Sequence, residues 1–161
     1  MVEAVDTAVD ISEDWVSAHL DCHPPVILNI SDGGACDMYG RRTPEVEDRF
    51  LDSVEALKSV ETNHGSALFI NHFLSPVDSK DALYPTSFYS KDDFGDLLFN
   101  SSSMLTEEMC MFAKTKGYHD IKPGKSRGFI QNGDSKDIID FLQIGTLGTV
   151  PTNAKKDVPK K

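Results

Sequence analysis

Pro24-Pro25-Val26-Ile27-Leu28-Asn29-Ile30-Ser31-Asp32-Gly33-Gly34 is the stretch on which the fold turns. An apolar run opens after two prolines and stops at Ser-Asp-Gly. That is the pattern of a buried strand in a parallel sheet that carries a hydroxyl and a carboxylate to its C-terminal edge. Ligands of open α/β sheets bind outside the carboxyl ends of the strands, which makes Asp32 the leading site candidate. Asp-Gly is also turn chemistry, because glycine accepts positive φ and aspartate bonds its own backbone, so the dipeptide alone leaves both readings open.

Downstream, Thr43-Pro44-Glu45 is a helix start, an N-cap followed by proline at the first helical position. Val46, Phe50, Leu51, Val54, Leu57 and Val60 continue it as a 3.6-residue stripe that gives way near Asn63-His64-Gly65. Ala67 to Phe73 is again apolar nearly throughout. A buried strand at each end of one helix implies a right-handed crossover and parallel pairing. Leu83-Tyr84-Pro85 reads as a short extended piece, and helices are expected over 91–99 and 106–116, the second stopped by Gly117. A third strand follows at 127–131, then a helix capped by Asp134 or Ser135. Upstream, residues 1–11 show no convincing period and are expected to be flexible, with a helix starting at Ser12 as its N-cap. The domain so defined is 12–146, followed by a basic, disordered tail over 147–161. The fold class is α/β, a Rossmann-like, mostly parallel sheet with flanking helices. Nothing upstream supplies a strand to cover the outer edge of 26–31, and an uncovered apolar edge invites pairing. A symmetry mate, another polypeptide or the N-terminal segment folded back should lie beside it.

Composition narrows the function. A net charge of −10 repels a polyanion and argues against nucleic acid. No run reaches the length of a membrane span, and the N-terminal residues lack the basic and apolar regions of a signal peptide. Three widely spaced cysteines, Cys22, Cys36 and Cys110, give neither a disulfide framework nor a zinc motif. Together these point to a cytoplasmic protein. No nucleophile elbow and no phosphate loop occurs. The histidines have no ligand spacing. His72 ends the second strand on the same sheet edge as Asp32, where it either lines a pocket or is a hydrogen-bonded structural residue.

The order of several blocks carries a resemblance. From Trp15 through Pro24–Gly33, Ala67–His72, Leu83-Tyr84-Pro85-Thr86-Ser87, Leu97–Ser103, Gly117-Tyr118, Arg127–Asn132 and Ile138–Thr146, the chain resembles the C-terminal half of a bacterial von Willebrand factor A (VWA) domain protein. The resemblance implies a metal-ion-dependent adhesion site at the C-terminal sheet edge. Such a site takes an Asp-x-Ser-x-Ser loop, a threonine from a second loop, and the aspartate of a strand ending Ser/Thr-Asp-Gly. Asp32 matches the last. Mg²⁺, the expected metal, takes hard oxygens octahedrally and keeps several waters. The first motif and the threonine have no counterpart here. Asp10-Ile11-Ser12-Glu13-Asp14 imitates the motif but lacks its second half, so the site is incomplete within this chain.

Two classes of function result. The first is a non-enzymatic protein-interaction module, a truncated VWA-like domain that meets its partner through Ser31, Gly33, Asp37 and His72 around a metal-binding Asp32. Its partner is another protein, a complementary N-terminal half-domain or a second copy. The second is a Mg²⁺-dependent phosphoryl-accepting or hydrolytic α/β domain that uses Asp32 as nucleophile.

Overall fold

The structure, a computed structural model, describes residues 1–32, 34–75, 81–90 and 93–147. Gly33 and the expected tail from residue 148 onward lie outside the described residues. Elements follow in the order α1 (Val2–Ala18), β1 (Val26–Ser31), α2 (Pro44–Ser59), β2 (Glu61–Thr62), β3 (Gly65–Ser66), β4 (Leu68–Phe73), β5 (Ala82–Leu83), α3 (Asp93–Ser101), α4 (Glu107–Thr115), β6 (Phe129–Gln131) and α5 (Ser135–Leu147).

The main sheet has the order β1-β4-β6-β5. β1 and β4 run parallel with Val26 beside Leu68 and Ser31 beside Phe73, and β6 continues parallel with His72 beside Ile130. Only β5 is antiparallel, pairing Leu83 with Ile130. The fold is thus α/β with a mostly parallel, Rossmann-like sheet and helices on both faces. Side chains alternate across a strand, so β4 sends Phe69 and Phe73 to one face and Ile70 to the other. The first face meets α1, α2 and α3 through Val2, Val5, Phe50, Val54, Leu57 and Leu98, with Phe129 of β6 joining them. The second meets α4 and α5 through Met109, Cys110, Ala113, Phe141 and Ile144. Each fully buried side chain of this size contributes about 1.5–3 kcal/mol.

Local chemistry explains the strongest elements. Thr43 accepts a hydrogen bond from the Val46 amide and Pro44 opens α2, with Glu45 and Glu47 in its first turn and Lys58 in its last. Thr106 caps α4 in the same way through Met109 N–H, and Gly117 follows with φ +102°. The segment near Asn63-His64-Gly65, expected only to end a helix, turns back as the hairpin β2–β3, with Gly65 at φ +131°.

The expectation for the N-terminus is corrected. Residues 1–11 form the first half of α1, with Val2 and Val5 buried, and Ser12 is a buried residue inside this helix rather than its cap. Val2, Val5, Val9, Ser12 and Val16 follow a 3-4-3-4 spacing, so one stripe faces the core while Glu3, Asp10 and Glu13 face outward. Asp6 accepts hydrogen bonds from Arg49 and Ser53 of α2 and fastens α1 in place. A helix here also removes the N-terminal segment as a strand partner for β1.

Candidate functional site

The three parallel strands end together, and their last peptides are stitched. Leu74 N–H donates to Ser31 C=O at 2.8 Å, and Asn132 N–H donates to Phe73 C=O at 2.9 Å. Asn132 adopts φ +52°, a left-handed conformation that asparagine tolerates, and its side-chain oxygen accepts from Ser75 N–H at 2.8 Å. Asp32 sits at this rim, exposed, and among the described residues it makes no hydrogen bond or ion pair.

The loop after it is fixed by neighbours that the sequence conceals. A Cβ on Gly34 would stand 1.3 Å from Cζ of Phe94, so the aromatic ring of α3 occupies the place a side chain would need. Arg42 stacks on that ring, 3.3 Å from its centroid, and pairs with Glu47. Asp37, expected to meet a partner, is committed to its own loop. Its carboxylate accepts from the Tyr39 and Arg41 amides, both at 2.9 Å, and from Arg41 Nε at 2.7 Å. The Arg41 backbone and side-chain donors hold it below the usual carboxylate range.

His72 is placed differently from its expectation as well. It is 0 % exposed, so it lines no open pocket at the rim. Alternation directs it toward α5, and among the described residues neither ring nitrogen has a hydrogen-bond partner. Burial pushes its pKa down, opposed by the nearby Asp137 carboxylate. Asp137 itself is engaged: it accepts from Tyr118 Oη at 2.8 Å and from Asp134 N–H at 3.0 Å. Tyr118 also reaches Asp140 at 3.1 Å, which Lys136 holds at 2.7 Å. That network latches the loop after α4 to α5.

Cys110 is buried, and burial pushes its thiol up, away from a reactive thiolate. Ser101 and Ser102 are buried and bonded to the Leu98 carbonyl. Among the described residues no three histidine, cysteine or carboxylate groups gather to hold a metal. With Asp37 held by Arg41 and no second ligand beside Asp32 among the described residues, those residues do not fit a Mg²⁺ site.

What the geometry does offer lies along β1. The bonds from Leu68 N–H to Pro25 C=O and from Leu74 N–H to Ser31 C=O show that odd-numbered residues of β1 face β4. Parallel strands alternate the side to which successive residues bond, so the N–H and C=O groups of Val26, Leu28 and Ile30 point away from the sheet. No hydrogen bond from another described residue reaches them. Ile30 is 50 % exposed, and Ile139 and Leu142 of α5, the helix packed over β1, are 55 % and 44 % exposed. On the other face Ile27 is covered by the core that α1 helps to build. This edge, read from the sequence as a gap to be filled, is open among the described residues.

The fold and site define an α/β domain whose sheet edge along β1 is open among the described residues. Comparison with protein-family models, with curated proteins and with solved structures finds no match for this chain. No helix among the described residues is long and apolar enough to cross a membrane.

Proposed function

We propose that this chain is a non-enzymatic protein-interaction module that receives a β-strand of another polypeptide along the outer edge of β1. The VWA-like reading fits this role: a partner strand beside β1 would complete the sheet in the way a complementary N-terminal half-domain does. One observation carries the proposal. Among the described residues the edge presents unpaired backbone groups between apolar side chains, with no charge, bulge or proline inside Val26–Ser31 to discourage pairing. Strand addition of this kind draws affinity from main-chain bonds and selectivity from alternate side chains. Asp32, at the end of the same strand, gives the partner a solvated carboxylate to read.

Amide hydrogen exchange on the dilute chain tests the proposal. The N–H groups of Ile27, Asn29 and Ser31, which face β4, are expected to exchange at least about tenfold more slowly than those of Val26, Leu28 and Ile30. Equal protection of both rows in the monomer would mean that the chain covers its own edge, and would sink the reading. Calorimetric titration of Mg²⁺ is expected to give no stoichiometric binding to the dilute monomer. Tight binding abolished by Asp32→Ala would instead mean that the metal site is complete, and labelling by acetyl phosphate that is lost in Asp32→Asn would revive the phosphoryl-accepting alternative.

A further inference from the structure

Resting on this reading of the β1 edge, we infer that its occupant is a second copy of the same chain, joined by antiparallel β1–β1 pairing about a twofold axis centred on Leu28. The spacing of the open groups is self-complementary. With Leu28 opposite Leu28 of the second copy, Val26 lies opposite Ile30, and each opposed pair exchanges both N–H···O bonds. No outward-pointing group of the strand is left over.

The surroundings agree with an isologous contact. A twofold perpendicular to the sheet keeps the two α5 helices on one side. Ile30 then packs beside Val26 of the second copy, while Ile139 and Leu142 face the second copy's α5, so that these half-exposed side chains lose contact with water. The same register carries Asp32 to the level of Pro24, beside His23 of the second copy. His23 has a buried Nδ1 with no hydrogen-bond partner among the described residues. Neither Pro24 nor His23 carries a carboxylate, so Asp32 meets no like charge at that level. Parallel pairing with an unrelated strand would use the same backbone groups, but it would leave Ile139 and Leu142 uncovered unless that partner also brought a helix.

Sedimentation equilibrium and crosslinking of the full chain decide it, in salt high enough to screen the −10 charge of each copy. The mass is expected to double between about 1 and 100 µM, while Ile30→Lys, which alters an exposed side chain, remains a monomer with unchanged circular dichroism. Register is read by cysteines in a Cys22→Ser, Cys36→Ser background. Leu28→Cys should crosslink to itself, because opposed residues in such a pair lie about 5.5 Å apart at Cα, within disulfide range. Ile30→Cys should crosslink to Val26→Cys but not to itself, since Ile30 and its copy lie about 14 Å apart along the strands. A chain that stays monomeric at the upper concentration, a dimer indifferent to Ile30→Lys, or self-crosslinking of Ile30→Cys would overturn the inference. If the monomer persists while Val26, Leu28 and Ile30 amides still exchange fast, only the second copy is excluded. If those amides are protected in the monomer, the open-edge reading falls too.

Discussion

Asn71→Ala is expected to destabilise the domain by about 2–4 kcal/mol, read as a shift of the urea midpoint at unchanged slope. Asn71 is 0 % exposed and stands in the middle of β4. Its side-chain oxygen accepts from Asn29 Nδ2 at 2.8 Å, and its nitrogen donates to Ser102 Oγ at 2.9 Å and to Leu98 C=O at 3.2 Å. One amide therefore ties the outer strand β1, through β4, to the end of α3. Alanine leaves the Asn29 amide without its acceptor, in a partly buried site, and opens a cavity. Ser102 keeps its own bond to Leu98, at 2.7 Å, which limits the loss. The double change Asn29→Val, Asn71→Leu should recover part of the stability, because it removes both partners and refills the space. A loss under about 1 kcal/mol for the single variant would show that the network is not coupled to folding.

The second large effect is a loss of stability on mild acidification that belongs to His72. Its pKa is lowered in the folded protein, chiefly by burial, whereas the unfolded chain returns it to about 6.5. At a pH below the unfolded value the unfolded state binds a proton that the folded state refuses. The contribution of neutral His72 is therefore present above about pH 6.5 and falls as the pH drops, by up to about 1.4 kcal/mol per unit until the folded pKa is reached. His72→Phe should flatten the dependence in that window. The carboxylates Asp6, Asp37 and Asp140, all lowered by their partners, act in the same linkage sense but begin to lose their contributions only near and below pH 4. Urea denaturation at pH 7.5, 6.0 and 5.0 (about the relevant span) separates the two ranges. An unchanged slope in His72→Phe would assign the effect elsewhere.

Much of the fold was legible because its signals are local. Thr43-Pro44 and Thr106 announce their helices through capping chemistry, and the apolar runs at Val26 and Leu68 announce strands through burial. The first part of the N-terminal helix was missed for a physical reason. Its core-facing stripe is built from Val2, Val5, Val9 and Val16, β-branched residues of modest helix propensity, together with Ser12, a residue that also suits a cap. The 3-4-3-4 spacing was the available signal. Site residues were less legible, since their fates depend on groups distant in sequence or on side-chain direction. Asp37 is taken by Arg41, Gly34 is required by Phe94, and His72 turns inward under α5. The sequence calls for something beside β1, and among the described residues no strand lies there.

The opposite border of the sheet gives that open edge a further meaning. β5 contributes only Ala82–Leu83 and runs antiparallel, so it offers a template too short to recruit another strand. A sheet with one receptive border and one blunt one cannot polymerise by repeated addition. On the proposed pairing, joining two receptive borders would consume both and end growth, so the apolar strand that would seed a fibre in a two-sided sheet would here terminate in a discrete assembly.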